Sequence, residues 1–522
     1  MIITKALMYN ARNIPEKLAV LDEGYSCTYG ELASRTAKLK EALKGSGIKK
    51  GDKVGILLLN TYRYVELIYA ITAIGAIAVP LNTRLSRREL EYIVKDSEMI
   101  SLFFHSEYLH HIPDLEKAAK GHLESIVVSD ANEEFGYTNY EEFIANESIA
   151  ELTYDDLCED DIACIFYTGG TTGPAVGVML SHRNQVSNFY HTTTKFNYNE
   201  WSNYLHAGPM FHLADCGKTI GVTWGGGTHS FLKTFTVEGF LEAVQTYRPT
   251  VISLVPTMIN MVMNDPNFKN YDVNSIKKIN YGSSAMSSDL FKRVTSAFPD
   301  VEFYQSYGMT EASPVLTILE PEDHIISEDK KAQKRLLSVG KAIPGVEVRV
   351  VDNEGVDVAV GEIGEVIARG PNIMKGYWKS PEKTANTIIN GWYHSGDMAL
   401  KDEDHYIYIV DRKKDMIITG GENVYSIEVE NVLSNHPSVL EAAVIGIPDS
   451  KWGEAIKAII VVRDTHELTE SEIIEFSKSL LANYKVPKSV YFMEELPKNG
   501  AGKILKRELR EKYWKNYELN VN

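Results

Sequence analysis

The sequence predicts an α/β protein, with a large N-terminal domain of parallel α/β sheets spanning residues 1–411 and a small C-terminal α+β domain spanning residues 412–522. Three observations carry this. Helix and strand signals alternate from the N-terminus, the strands are short unbroken apolar runs, and the alternation restarts beyond the charged cluster Asp411-Arg412-Lys413-Lys414-Asp415. Strand, helix, strand in that order implies a parallel sheet covered on both faces. A stretch of about 110 residues with its own alternation is long enough for a separate domain.

The elements follow in order. Thr28 and Glu31 form a capping box before a helix whose Leu32, Leu39 and Leu43 share one side, and Gly45 and Gly47 close it. Residues 54–59 read as a buried strand, 62–74 as an apolar helix and 76–79 as another strand, with Ser86 and Glu89 capping the next helix. Further strands are expected at 162–167, 301–304 and 406–410. In the C-terminal part the pattern gives a helix at 426–433, strands at 440–447 and 456–462, a capping box at Thr469 and Glu472, and a strand at 490–492. Parallel sheets of this kind bind ligands beyond the carboxyl ends of their strands.

Composition narrows the function. With 522 residues, 44% hydrophobic and 24% charged, the chain can bury a large core. Its 54 basic and 71 acidic residues give a net charge of −17, which argues against nucleic acid as a partner. The charge is unevenly placed: residues 412–522 sum to −1 and the first 411 to −16, while residues 498–515 hold seven basic and two acidic side chains. Cys27, Cys158, Cys164 and Cys216 stand too far apart for a zinc knuckle or a redox pair and read as buried thiols without a role, in a reducing compartment. The first 20 residues lack a secretory pattern. The longest apolar run, 67–81, is about 15 residues against the roughly 20 a membrane span needs. The expectation is a cytoplasmic protein with no transmembrane segment; peripheral membrane contact and a homodimer stay open.

Chemistry concentrates in three segments. The apolar strand 162–167 runs into Thr168-Gly169-Gly170-Thr171-Thr172-Gly173, whose backbone N–H groups and hydroxyls can wrap a polyphosphate. The threonines directly after a buried strand favour that over a tight surface turn. No lysine follows the last glycine, so this is not a G-x-x-x-x-G-K-[ST] loop. The second segment is Gln305-Ser306-Tyr307-Gly308-Met309-Thr310-Glu311, which taken alone reads as a loop with one satisfied acid. The third is Gly391-Trp392-Tyr393-His394-Ser395-Gly396-Asp397, an aromatic-rich turn in which Asp397 alone reads as a turn-former or helix cap.

In order and spacing these segments, with Pro209 to His212, Asp411 to Gly421 and Gly500 to Lys506, resemble the adenylate-forming superfamily of acyl-CoA synthetases, aryl-CoA ligases, luciferases and peptide-synthetase adenylation domains. The resemblance covers the chain from Thr28 to Arg510. It implies a reaction in two halves. A carboxylate attacks the α-phosphorus of ATP to give an acyl-adenylate and pyrophosphate, and a thiol, usually of coenzyme A, then displaces AMP. With a carboxyl pKa near 4 the acid is already ionised at neutral pH, so the first half rests on positioning and electrostatics rather than on a general base.

The resemblance also assigns roles. Thr168, Gly169, Gly170, Thr171, Thr172 and Gly173 cradle the phosphates, Thr310 contacts the α-phosphate, and Glu311 helps hold Mg²⁺, a hard cation suited to oxygen ligands. Ser283 and Ser284 on one side and Gln305, Ser306 and Tyr307 on the other resemble the adenine-facing walls, with Gly308 in the same nucleotide site. Asp397 matches the ribose acceptor, and Arg412 reaches the ribose or the phosphate, where the residues alone suggest an ion pair with Asp411 or Asp415. Lys503 matches the lysine that bridges carboxylate and phosphate oxygens, where the bare sequence suggests a solvated lysine. Lys414 matches the hinge about which a mobile C-terminal domain turns, bringing Gly420 and Gly421 toward coenzyme A. His212, otherwise a structural histidine, matches the residue at the mouth of the acyl pocket. Ala214 and Gly225-Gly226-Gly227 suggest an open channel for a medium- or long-chain fatty acid, and an aromatic acid would fit as well. The implied small molecules are a carboxylic acid, ATP, Mg²⁺ and CoA.

Two positions depart from the family pattern. Val176 stands where a lysine usually follows the phosphate loop, and Gly169 replaces a common serine. One missing charge-assisted hydrogen bond costs about 1.5–3 kcal/mol, or a roughly 10- to 150-fold loss of rate if felt fully in the transition state. Three functions are therefore in play: an acyl-CoA ligase, an enzyme that passes the acyl group to a carrier-protein thiol or oxidises the adenylate, and a degenerate nucleotide-binding protein. Thr310, Glu311, Asp397, Arg412 and Lys503 being present speaks against the last.

Overall fold

The computed structural model describes residues 1–130, 136–145, 151–169, 175–283, 286, 288–463, 468–498 and 504–514. The chain divides into two compact units, one made of Met1–Glu347 with Ala368–Tyr393 and the other of Val348–Ile367 with His394–Asn522.

The first unit is built on two sheets. A nine-stranded sheet runs in the order Lys341–Ala342, Val315–Leu319, Glu302–Gly308, Lys278–Gly282, Val251–Leu254, Asn203–His206, Thr228–Phe231, Leu18–Asp22 and Tyr25–Thr28. It is parallel from Glu302–Gly308 through Leu18–Asp22 and antiparallel at both edges. An eight-stranded sheet runs Gly376–Tyr377, Val176–Ser181, Ile162–Thr168, Ile77–Pro80, Lys53–Leu57, Ser101–Phe104, Ser125–Val128 and Thr138–Asn139. Its strands are parallel from Ile162–Thr168 onward. The helix Tyr62–Ile74 is buried at every position but Arg63, which explains a sequence apolar on all sides rather than along one stripe.

The second unit holds most strands of one five-stranded sheet and the whole of another. In one of them Trp392–Lys401 pairs antiparallel with Ile407–Arg412. In the other, Gly453–Val462 pairs antiparallel with Val439–Asp449 and parallel with Ser489–Phe492. The helices Ser426–Ser434 and Glu470–Leu480 supply Val429, Leu433 and Ile473 to its core.

The capping boxes at Thr28, Ser86 and Thr469 all form. Three sequence readings are corrected. Gln305 to Gly308 continue a strand instead of forming a loop, because Val315–Leu319 folds back and pairs with them. The expected turn at 391–397 is largely strand, since Trp392 begins a ten-residue β-segment. Cys158 is exposed, while the other three thiols are buried as expected. Among the described residues no helix is long and apolar enough to cross a membrane.

Candidate functional site

In the first unit the parallel strands Lys278–Gly282 and Glu302–Gly308 end side by side, with Gly282 registered against Ser306. A Cβ on Gly282 would lie 2.5 Å from the Ser306 carbonyl oxygen, so this close approach requires glycine. Ser283 then turns the chain away in a left-handed conformation, φ +66°. The Ser306 hydroxyl donates to Asn280 Oδ1 at 2.7 Å, and Asn280 Nδ2 donates to Ser253 Oγ at 2.9 Å. Gln305 points to the other face and is buried, with the Tyr281 hydroxyl 3.4 Å from its Oε1. The same hydroxyl lies 3.0 Å from His324 Nε2, and His324 Nδ1 lies 2.8 Å from the Glu320 carbonyl oxygen. Burial pushes the His324 pKa down to about 4, so the neutral ring braces this wall.

Gly308 passes so close to Pro314 that a Cβ would meet its carbonyl oxygen at 2.0 Å. The tight turn Thr310–Ala312 follows. The Tyr377 hydroxyl donates to Glu311 Oε1 at 3.0 Å, and the Met374 N–H donates to the Glu311 carbonyl at 2.8 Å. Burial and the adjacent carboxylate push the Tyr377 phenol well above its usual range, which keeps it a donor. Tyr307 is paired in the sheet with Thr317.

The glycine-rich loop leaves the strand Ile162–Thr168, where Thr168 Oγ1 is 3.5 Å from the Val176 carbonyl oxygen and Gly169 is exposed with open space about it. Gly170, Thr171, Thr172 and Gly173 lie outside the described residues, as do Ser284 and Lys503. Val176 is packed against the hydrophobic core of this unit. The position where a lysine is usual is thus taken by a core-packing side chain.

His212 follows the strand Asn203–His206 and stands at the N-cap of the short helix Leu213–Cys216. Its ring meets Phe211 edge-on at 4.7 Å, its Nε2 is buried with no hydrogen-bond partner among the described residues, and burial with Arg84 nearby lowers its pKa to about 4. A neutral imidazole with a free nitrogen can meet a polar ligand atom without adding charge. The segment before it is pinned by Asn60, whose Nδ2 donates to the carbonyls of His206, Gly208 and Leu232 at 3.1, 2.7 and 3.1 Å and whose Oδ1 accepts from Met210 N at 2.8 Å. The glycines Gly225 and Gly227 do not open a channel. A Cβ on either would strike backbone, Tyr198 at 2.7 Å and Ser202 at 2.8 Å, so they serve close chain packing.

In the second unit Asp397 and Arg412 face each other on adjacent antiparallel strands, with Arg412 Nε 3.3 Å from Asp397 Oδ1. Asp397 is buried. The two acids that might have claimed Arg412 are occupied: the Asp411 carboxylate accepts from the Ser426 N–H and hydroxyl, and Asp415 accepts from Arg510 Nη2 at 2.6 Å. Arg510 Nη1 also donates to the Lys414 carbonyl at 3.0 Å. Gly420 and Gly421 form a turn at φ +61° and +85°, where a Cβ on Gly420 would meet the Trp452 ring at 2.8 Å.

Sequence reasoning missed Tyr377 and Asn60, because each acts through partners far away in the chain and neither sits in a recognisable pattern. Hydroxyls, glycine-cleared backbone and one tethered carboxylate at the carboxyl ends of parallel strands can hold a nucleotide and a hard cation.

Comparison with known proteins gives the same direction. Residues 7–378 match the AMP-binding enzyme family, and residues 428–503 match the AMP-binding enzyme C-terminal domain. A feruloyl-CoA synthase of Amycolatopsis sp is 36% identical over 504 residues, covering 96% of this chain and 97% of that protein. A fatty acid–[acyl-carrier-protein] ligase, ScoC, of Streptomyces coeruleorubidus is 32% identical over 527 residues, covering 100% and 98%. Among solved structures, the anthranilate CoA ligase AuaEII in complex with anthranoyl-AMP superposes with a TM-score of 0.88 at 27% identity, covering 98% of this chain and 97% of that one.

Proposed function

The chain belongs to the AMP-binding enzyme family, that of the AMP-forming acyl- and aryl-CoA ligases, and from that premise we propose that it adenylates a fatty or aryl carboxylic acid with ATP and then transfers the acyl group to CoA. As a member it is an acid–thiol ligase that uses ATP and CoA. The observation that carries the finer reading is the rim where Gly282 meets Ser306 and Gly308 leads to the half-buried Glu311, because it gathers hydroxyls, an amide and one carboxylate at the carboxyl ends of adjacent parallel strands.

In this reading Ser283, Gln305, Ser306, Tyr307 and Gly308 bound the adenine, Asp397 and Arg412 take the ribose, and the glycine-rich loop with Thr310 takes the phosphates. Glu311 is suited to Mg²⁺. Among the described residues only its Oε1 has a protein partner, and magnesium sites commonly use one or two carboxylates with waters and phosphates. When bound, the cation neutralises charge on the phosphates. The acid enters past His212, medium- and long-chain fatty acids being the first class to test. Lys503 bridges the carboxylate and phosphate oxygens. Residues 412–522 turn about Lys414 between the two half-reactions, and the Gly420–Gly421 turn faces CoA. The enzyme is placed in the cytoplasm, in line with its acid surplus and sparse cysteines.

The test is pyrophosphate release with ATP across a panel of acids, followed by thioester formation with CoA. Pyrophosphate with at least one acid and its thioester are expected. No pyrophosphate with any acid would leave a nucleotide-binding protein, and adenylate that never passes to CoA would point to a carrier-protein thiol.

A further inference from the structure

The helix after His212 carries a charge in an unusual place. The backbone stays right-handed from Leu213–Cys216 through Gly217 into Lys218–Trp224, so Ala214 and Lys218 lie one turn apart on the same face. Ala214 is exposed, while Lys218 is buried to 2%. The Lys218 ammonium lies over the Phe196 ring at 4.5 Å, and among the described residues no oxygen is within hydrogen-bond or ion-pair distance of it. Tyr198, 5% exposed, stacks on Phe196 with ring centroids 5.5 Å apart, and its buried hydroxyl has no hydrogen-bond partner among the described residues.

The nearest acid does not satisfy this lysine. Asp215 Oδ1 is bound to His206 Nδ1 at 2.5 Å, and His206 Nε2 is 3.1 Å from His229 Nδ1, whose Nε2 is 3.1 Å from Thr223 Oγ1. Asp215 Oδ2 is 3.5 Å from the Tyr204 hydroxyl. The carboxylate is therefore spent within its own buried network. A lysine and a phenol buried this deeply, neither with a hydrogen-bond partner among the described residues, are costly unless an acceptor arrives.

We propose that Lys218, assisted by Tyr198, is a specificity-determining residue that receives a second carboxylate at the far end of the acid, so that the substrate is a dicarboxylic acid activated at its other end. This rests on the reading that the acid lies beside His212. An anion suits a cation plus a second donor, whereas a plain alkyl end would leave both unsatisfied.

The experiment compares kcat/KM for pyrophosphate release by the wild type with acids matched in length that end in methyl, hydroxyl or carboxylate, in both alkyl and aryl series. The carboxylate-ended acid is expected to lead by about 10- to 150-fold, the range for one charge-assisted contact. Lys218→Met, which keeps the length and apolar stem, is expected to invert the ratio, lowering the diacid and raising the methyl-ended acid. Tyr198→Phe, which keeps the ring stack, is expected to shift the ratio in the same direction by less. Equal or better turnover of methyl- or hydroxyl-ended acids by the wild type overturns the proposal while leaving the ligase reading intact. So does a Lys218→Met enzyme that loses all acids equally. No pyrophosphate with any acid overturns both.

Discussion

Tyr377 donates its hydroxyl to Glu311 Oε1 at 3.0 Å, fixing one carboxylate oxygen from a residue 66 positions away. If Glu311 serves Mg²⁺, this bond sets the direction of the free oxygen. Tyr377→Phe is expected to lower kcat for pyrophosphate release about 10-fold or more, with the loss deepest at limiting magnesium, since hydrogen bonds to charged groups are worth about 1.5–3 kcal/mol. Steady-state rates over a magnesium titration check this. An unchanged magnesium dependence would make the bond purely structural.

Asp397→Asn should raise KM for ATP about 10-fold or more and leave the far-ultraviolet spectrum unchanged. The substitution keeps the shape of the side chain but removes the charge that holds Arg412 and that, in the proposed role, would strengthen hydrogen bonds from the ribose hydroxyls. Calorimetric titration with a non-hydrolysable ATP analogue separates this from a loss of kcat, which on its own would speak against a binding role.

Lys503→Ala is expected to suppress adenylate formation by about 100-fold while sparing transfer from supplied acyl-adenylate to CoA, because in the proposed role its charge bridges carboxylate and phosphate in the first half alone. Equal loss in both halves would remove that assignment.

The buried neutral His324 predicts a pH dependence of stability. Its pKa is about 4 in the fold against an ordinary value of 6.5, so the unfolded chain binds the extra proton and stability falls as pH drops from 6.5 towards 4. His324→Gln should flatten the slope of unfolding free energy in that window by up to about 1.4 kcal/mol per pH unit, the value of one proton. Urea titrations at several pH values measure it, and a slope equal to the wild type's would show that His324 is charged in the fold.

What could be read from the sequence was what is local. The Thr28–Glu31 box depends on a spacing of three, and the helix Tyr62–Ile74 on an unbroken apolar run, so both were legible. The end of the strand at Gly308 was not, because glycine reads as a turn and its pairing with Val315 depends on the chain folding back. Asp397 looked like a turn residue because its partner, Arg412, belongs to the next strand of the sheet. At the candidate site, the resemblance located Gln305 to Glu311 without revealing that Tyr377 holds the acid. Lys218 left a trace, a charge at the head of the run Thr219-Ile220-Gly221-Val222, but it is buried against Phe196, on which Tyr198 stacks, 22 and 20 positions earlier in the chain.

The contacts around Lys414 also limit how the chain can swivel there. Arg412 is tied to Asp397, Asp411 to Ser426, and Arg510 clasps both the Lys414 carbonyl and Asp415. With its neighbours on both sides anchored, a reorientation cannot be spread along a slack linker. If Lys414 serves as the hinge, the turn is concentrated in the few torsions between Arg412 and Asp415, and the bond that spans them, from the Ser426 hydroxyl to the Asp411 carboxylate, has to part first, so the joint is expected to behave as a latch with discrete positions.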